Sequence, residues 1–260
     1  MTPPQASLAI TTRPLMDAEA DCRFLQSRGL EAIAQPVLDI VPLPHPPFPQ
    51  AAEATILTSR HAAGLIKAEA EPAGLFKKPC YVVGDATARV ASHAGFQDIH
   101  IAGGDGSALL ELVRSSPYRH FCWPSAHHSG FNIKTALEAS GEKLVERIIV
   151  YEAKLIEALN EATIEAIKSS HQSALSCIVL VHSGRAGAHF HHLLDQHDLG
   201  AYRQNMTLIV ISNRAAGLCG QGWHKIHVIK SPLRSLMLMQ ALDLAGITCH
   251  DDNISDMPLD

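Results

Sequence analysis

No apolar run in this sequence reaches the roughly 18 residues that a membrane-spanning helix needs. The opening, MTPPQASLAITTRP, has neither the basic start nor the long apolar centre of a secretory signal, so a cytoplasmic protein is expected. Cysteine is scarce: six residues, at 22, 80, 122, 177, 219 and 249, with no C-x-x-C pair. A chain of 260 residues can bury a core without disulfide staples, so these thiols are read as reduced and buried. Aromatic residues make up only 5%, and no basic stretch is interleaved with them, which argues against a stacking platform for nucleic acid. The formal net charge is −5, so no global field gathers a polyanion or an anionic membrane, and an anionic ligand has to be caught locally. Several signatures are missing as well: G-x-G-x-x-G, a P-loop lysine, H-E-x-x-H and G-x-S-x-G. Their absence removes the standard readings as a dinucleotide binder, a P-loop nucleotidase, a zinc protease or a serine hydrolase.

What is present is patterned. Hydrophobic residues account for 47% and charged ones for 18%, the balance of an ordinary globular chain. In YVVGDATARVASHAGF (81–96) an apolar run meets Gly84, and a stretch with helical spacing then runs from Asp85 to Gly95. A strand entering a helix through such a turn is the usual ligand-site geometry of α/β proteins. The same unit recurs. Residues 8–38 read strand, turn at Thr12-Arg13-Pro14, amphipathic helix, Gly29 and strand; residues 121–151 repeat that order, with Pro124-Ser125 at the turn and Gly141 at the stop. ATILTSRHAAGLI (54–66) resembles CIVLVHSGRAGAHF (177–190), and the stretch from 81 resembles LIVISNRAAGLCGQGWHKIHVI (208–229). GSALLELV (106–113) and SPLRSLMLMQAL (231–242) follow as matching amphipathic tails.

These units form two sets of three, and their order predicts two similar parallel-sheet α/β domains, one inserted in the other. Residues 1–36 and 155–260 would form the discontinuous domain and 45–142 the inserted one. Residues 37–44 and 143–154 are β-rich and are expected to pair as a two-stranded β connector. A single large sheet with accidental internal similarity is the alternative.

Ligands of parallel sheets sit at the carboxyl ends of the strands, beside the helix N-termini that follow. Here those turns carry Thr12, Ser59, Thr87, Ser125, Ser183, Ser212 and Asn213. Each can simply cap a helix. Taken together across two domains, they would also line a cleft with hydroxyls, free N–H groups and positive dipole ends. Such a cleft suits a polycarboxylate, with Arg13 and Arg185 as the expected charged contributors. The histidine-rich AHFHHLLDQH (188–197) places His189 and His192 on one helix face but lacks a Cys or carboxylate at ligand spacing, so an exposed polar face is expected there. His127-His128 is read as part of a turn, AGGDGS (102–107) as a loop, and the acidic tail HDDNISDMPLD (250–260) as disordered.

The sum of these motifs resembles the uroporphyrinogen-III synthase family. TTRP, QPVLDIVPL, LTSRHAAG, VVGDATARVASHAGF, IIVYEA, LVHSGRAGAHF and VISNRAAGLCGQGW carry the resemblance, in that order, over about residues 8–244. It implies two flavodoxin-like domains joined by a two-stranded ladder, acting on hydroxymethylbilane, a linear tetrapyrrole with eight carboxylates. It also implies ring closure with inversion of ring D and loss of water, with no cofactor and no metal. On residues, the resemblance implies Tyr151 as the catalytic group and Thr58, Ser59, Thr87 and Ser183 as cleft hydroxyls. Many members have a threonine in the last turn; this chain reads ISNRAAG, which leaves Ser212 and Asn213 to substitute. A monomer is expected, with transient contact to the preceding pathway enzyme allowed for. The alternative function is a non-catalytic module that senses a carboxylate-rich metabolite, since fold alone does not dictate activity.

Overall fold

The computed structural model describes residues 8–67, 74–103, 106–129, 131–139, 141, 143–173, 175, 177–231 and 233–247. The chain divides into two compact units, one of residues 1–39 with 154–260, the other of residues 40–153. The first unit opens with β1 (Leu8–Thr11), α1 (Leu15–Ser27) and β2 (Glu31–Ala34), and β3 (Leu38–Pro42) runs across the boundary. The second holds β4 (Ala54–Leu57), α2 (Arg60–Lys67), β5 (Cys80–Val82), α3 (Asp85–Ala94), β6 (Ile99–Ile101) and α4 (Gly106–Ser115). It continues through β7 (His120–Ala126) and α5 (Ile133–Glu138) to β8 (Leu144–Leu155), which crosses back. The first unit then resumes with α6 (Glu161–Gln172), β9 (Cys177–Val181), α7 (Gly184–Gln196), β10 (Met206–Val210), α8 (Asn213–Ala216), β11 (Lys225–Val228) and α9 (Arg234–Leu244).

Burial follows the strand sequences. β1 (LAIT), β4 (ATIL), β9 (CIVLV) and β10 (MTLIV) are buried at every residue, as central strands of a sheet covered on both faces must be. β11 (KIHV), with charged and half-exposed positions, sits at an edge. In the first unit the sheet order is β11-β10-β9-β1-β2, with every pairing parallel. α6, α7 and α8 cover one face, where Phe190, Leu193 and Leu194 pack on Val179 and Leu208. α1 and α9 cover the other, where Phe24, Leu25 and Leu238 pack on Ile178 and Leu180. Each fully buried Leu or Phe of these layers contributes roughly 1.5–3 kcal/mol through lost apolar exposure.

The second unit has the order β6-β5-β4-β7-β8, with β3 beyond β8. The pairings from β6 through β8 are again all parallel. Position by position, β8-β7-β4-β5-β6 corresponds to β2-β1-β9-β10-β11, and the helices follow suit. α2 and α3 share one core as α7 and α8 do, while α4 and α5 share the other as α9 and α1 do. Both units are therefore the same flavodoxin-like layout, with the second circularly permuted so that it starts at the equivalent of β9. β3 lies beside β8, with Leu43 N–H donating to the Val150 carbonyl at 3.0 Å.

Helix ends depart from the sequence reading in three places. Thr12 does not cap α1: Pro14 holds that position, and the Thr12 hydroxyl donates to the Leu180 carbonyl at 2.8 Å. Thr87 does not cap α3 either, because Gly84 is the cap and Thr87 falls inside the first turn, buried. Pro124-Ser125 is not a turn but part of β7. The ladder to β4 ends at Cys122, so that side of β7 accommodates a residue with no N–H. Ser183 and Ser212 do cap, accepting from Ala186 N–H at 3.1 Å and Ala215 N–H at 3.2 Å. α3 stops at Gly95, whose φ of 122° is closed to a residue with a side chain. Five cysteines are free and buried; Cys249 and the tail 250–260 lie outside the described residues, as do residues 104 and 105 of the glycine-rich loop.

Candidate functional site

In a doubly wound sheet the crevice opens where strand order reverses. In the second unit that point lies between β4 and β7, and a cavity of about 310 Å³ sits there. Its walls come from strand ends: Thr58 and Ser59 after β4, Val83 after β5, Ala126 at the end of β7, and Tyr151 on β8. Gly106 at the start of α4, with His128, Ser129 and Phe131 after β7, completes the lining. The Phe131 ring lies so close to Gly106 that an added Cβ there would meet it at 2.8 Å. The cavity lies at the lower end of the range for small-molecule pockets.

The chemistry centres on two hydroxyls. Tyr151 Oη and Ser59 Oγ lie 2.8 Å apart, and either can donate. Ser59 Oγ also accepts from His61 N–H at 3.2 Å, at the beginning of α2. Ser59 Oγ can still donate to the phenol oxygen, and in that arrangement the phenol proton is left for a ligand. Burial pushes the Tyr151 phenol above its ordinary value of 10.0, and the Ser59 bond offsets this in part. The phenol is therefore a proton donor at every physiological pH.

Tyr151 reaches the cavity through an irregularity in its strand. The β7–β8 register pairs Ser125 with Ile149 but Ala126 with Tyr151, so β8 holds one extra residue. In a regular strand neighbouring side chains face opposite ways. Here Val150 and Tyr151 both enter the core beneath α2 and α3, with Ile148. Bulges of this kind re-aim side chains next to functional sites. Around it, Trp123 Nε1 donates to Thr58 Oγ1 at 3.2 Å. Arg147 donates to Ser125 Oγ at 2.8 Å and to the Ala126 and His127 carbonyls at 2.7 and 3.0 Å, its guanidinium 5.0 Å from the Trp123 ring centroid.

Near the corresponding reversal point of the first unit, between β9 and β1, the protein's own charges pair with one another. Asp21, wholly buried, accepts from Arg13 at 3.0 Å, from Thr11 at 3.1 Å and from Arg234. His182, next to Ser183, has both ring nitrogens shut off from solvent and, among the described residues, without a hydrogen-bond partner. Desolvation first, then Arg13 and Arg234, hold its proton affinity well below 6.5.

Of the residues singled out from sequence, the fold brings Thr58, Ser59 and Tyr151 together around one cavity. Ser125 lies beside it but is buried and occupied by Arg147. Thr87 is buried and does not line the cavity. Arg13 is bound to Asp21 and lies 3.5 Å from Asp17. In the first unit Ser183 and Ser212 cap their helices, while Arg185 and Asn213 are exposed in the opening turns of α7 and α8. His189 is tied to the Ile156 carbonyl at 2.6 Å. Sequence reasoning missed Arg147, Asp21 and Arg234; Asp21 and Arg234 are separated by 213 residues. It noticed His127-His128 without their neighbour Glu152.

Fold and cavity define a doubly wound α/β protein of two permuted repeats, with a strand-end pocket in the second unit lined by the hydroxyls of Thr58, Ser59, Ser129 and Tyr151. No helix among the described residues is long and apolar enough to cross a membrane. A family model described as uroporphyrinogen-III synthase HemD matches residues 20–233, most of the chain, and the protein belongs to that family, whose members are cyclising lyases of heme biosynthesis. The fold is similar to the uroporphyrinogen-III synthetase of Helicobacter pylori 26695, at 19% identity and TM-score 0.61, covering 92% of this chain and 99% of that one. It is also similar to a mutant uroporphyrinogen III synthase of the extremely thermophilic bacterium Thermus thermophilus, at 14% identity and TM-score 0.52, covering 92% and 98%. No curated protein matches the chain significantly in sequence.

Proposed function

We propose that this uroporphyrinogen-III synthase handles the reacting end of hydroxymethylbilane in the cavity of the second unit, with Tyr151 as proton donor to the leaving hydroxyl. The observation that carries this reading is the Tyr151–Ser59 hydroxyl pair, 2.8 Å apart, with both residues lining the cavity at the reversal point of the sheet. The pyrrole nitrogen pushes its electron pair toward the hydroxymethyl carbon, the C–O bond breaks, and the phenol proton joins the departing hydroxyl as water. The azafulvenium that remains is then attacked by the substituted α-carbon of ring D, which gives a spiro centre. The bond from that carbon to its old methylene bridge breaks, restoring ring D and leaving an azafulvenium on ring C. The unsubstituted α-carbon of ring D takes this methylene, and the proton lost from that carbon restores both the aromatic ring and the phenol. Closure happens without an enzyme but to the wrong isomer, so most of the protein's task is to hold the chain in one orientation.

The carboxylates are held in a distributed way by strand-end groups of each unit. Thr58 and Ser59 contribute in the second; Ser183, Arg185, Ser212 and Asn213 contribute in the first. Thr87, Ser125 and Arg13 act from behind, since all three are buried and the latter two are engaged by Arg147 and Asp21. The two compact units are read as two domains exchanging near residues 37–44 and 143–154. Buried, free thiols agree with a cytoplasmic setting, and the enzyme is proposed to act as a monomer that meets the preceding enzyme only transiently.

The deciding experiment incubates the protein with freshly made hydroxymethylbilane and determines the isomer formed. Type III product is expected. Type I alone, at the uncatalysed rate, would leave a sensing module as the surviving account.

A further inference from the structure

We propose that His127, His128 and Glu152 form a binding site for a divalent transition-metal ion of the zinc class at the rim of the cavity, and that an ion held there slows turnover. One ligand atom from each of the three lies within 4.8 Å of the others. The two imidazole rings stand 4.6 Å apart at 87°. Among the described residues neither imidazole nor the carboxylate makes a hydrogen bond within the chain, so three polar groups converge with nothing between them.

Their supports are fixed. His127 N–H donates to the Tyr151 carbonyl at 2.7 Å, prolonging the β7–β8 ladder by one step, and its own carbonyl accepts from Arg147 at 3.0 Å. Glu152 follows Tyr151 on the same strand, so the ladder sets His127 beside it. The Arg147 charge is turned onto carbonyl oxygens and the Trp123 ring rather than onto the carboxylate. Two imidazoles and one carboxylate are a zinc ligand set with a position left for water. Magnesium and calcium want mostly oxygen and are disfavoured here. Both histidines are exposed, so an ion can enter from solvent.

The link to turnover rests on the proposed use of the cavity. His128 is one of its walls, and an ion that draws His128 toward Glu152 stiffens that wall beside Tyr151. Cobalt(II) titrated into the full-length, metal-free protein tests the site by visible absorption. One saturable site is expected, weakened roughly tenfold or more by His128→Asn and by Glu152→Gln and unchanged by His189→Asn. No saturable uptake, uptake indifferent to His128→Asn, or uptake lost with His189→Asn overturns the site. Zinc(II) in the turnover assay should slow the parent, while His127→Asn and Glu152→Gln, neither lining the cavity, keep the zinc-free rate and lose the inhibition. Cobalt uptake without zinc inhibition refutes the coupling alone. A parent that makes no type III product refutes the cavity reading and still leaves the cobalt titration to decide the site.

Discussion

Replacing Tyr151 with phenylalanine separates a packing role from a chemical one, because the ring stays and only the hydroxyl goes. The side chain is 5% exposed and belongs to the core beneath α2 and α3, so no cavity is created by the change. One hydrogen bond is lost, the 2.8 Å contact with Ser59, and Ser59 keeps its second bond to His61 N–H. A neutral bond of this kind contributes about 0.5–1.5 kcal/mol, so stability should fall by no more than that. The rate should fall further. A positioned acid typically supplies 10²–10⁴-fold, and the pyrrole nitrogen already drives hydroxyl loss, so the contribution sits at or below the low end. We expect turnover reduced roughly tenfold to a hundredfold, about 1.4–2.7 kcal/mol of barrier, with the type III isomer still formed. The raised phenol pKa adds a pH signature: the protonated form persists up to and beyond 10.0, so the parent-to-mutant ratio should stay flat through neutral pH and close only in strong alkali. The assay is turnover at saturating hydroxymethylbilane with isomer analysis, alongside denaturant unfolding. Parent-like turnover of Tyr151→Phe would refute the reasoning and leave the phenol as core packing.

Ser59→Ala removes the group that orients the phenol and should weaken substrate use by about 1 kcal/mol. A loss of five orders of magnitude in kcat/KM would overturn the distributed picture of binding. Asp21→Asn takes the buried counter-charge from Arg234 and leaves Arg13 only Asp17 at 3.5 Å, and should cost about 3–5 kcal/mol in denaturant unfolding. A change under about 1 kcal/mol would show that solvent already reaches the cluster. His182 is held neutral in the fold, so the unfolded chain takes up a proton there below its ordinary 6.5 while the folded one does not. Stability should therefore drop on acidification from about pH 6.5, by up to about 1.4 kcal/mol per pH unit from this residue. His182→Gln should flatten that slope in unfolding curves across pH 5–7, and an unchanged slope would place the titrating group elsewhere.

Much of the architecture was legible because it is written in local pattern. Runs such as LAIT, ATIL and CIVLV are apolar at every position, which only strands covered on both faces require, and each is followed by a turn residue and helical spacing. The match of 8–38 to 121–151 corresponds to the equivalent places of β1-α1-β2 and β7-α5-β8 in the two sheets. Ser59 was legible as a site candidate for a related reason, since parallel strands expose their carboxyl ends wherever those strands lie in the chain, whereas Thr58 and Tyr151 entered only through the family resemblance.

Tertiary structure alone decided the rest, because it turned on contacts between segments with no local signature. Pro124-Ser125 reads as a turn, and only the place of β7 beside a ladder that stops at Cys122 makes it strand. The extra residue in β8 that turns Tyr151 into the cavity leaves no trace in the apolar run LVERIIVY. Arg13 looks like a ligand for carboxylates until Asp21 and Arg234 close around it, the last from 213 residues beyond Asp21. Sequence fixes period and polarity, which a few neighbouring residues suffice to encode. Which charge meets which, and hence that Arg13 is paired with Asp21 rather than left for a ligand, depends on distances that exist only once the sheets have formed.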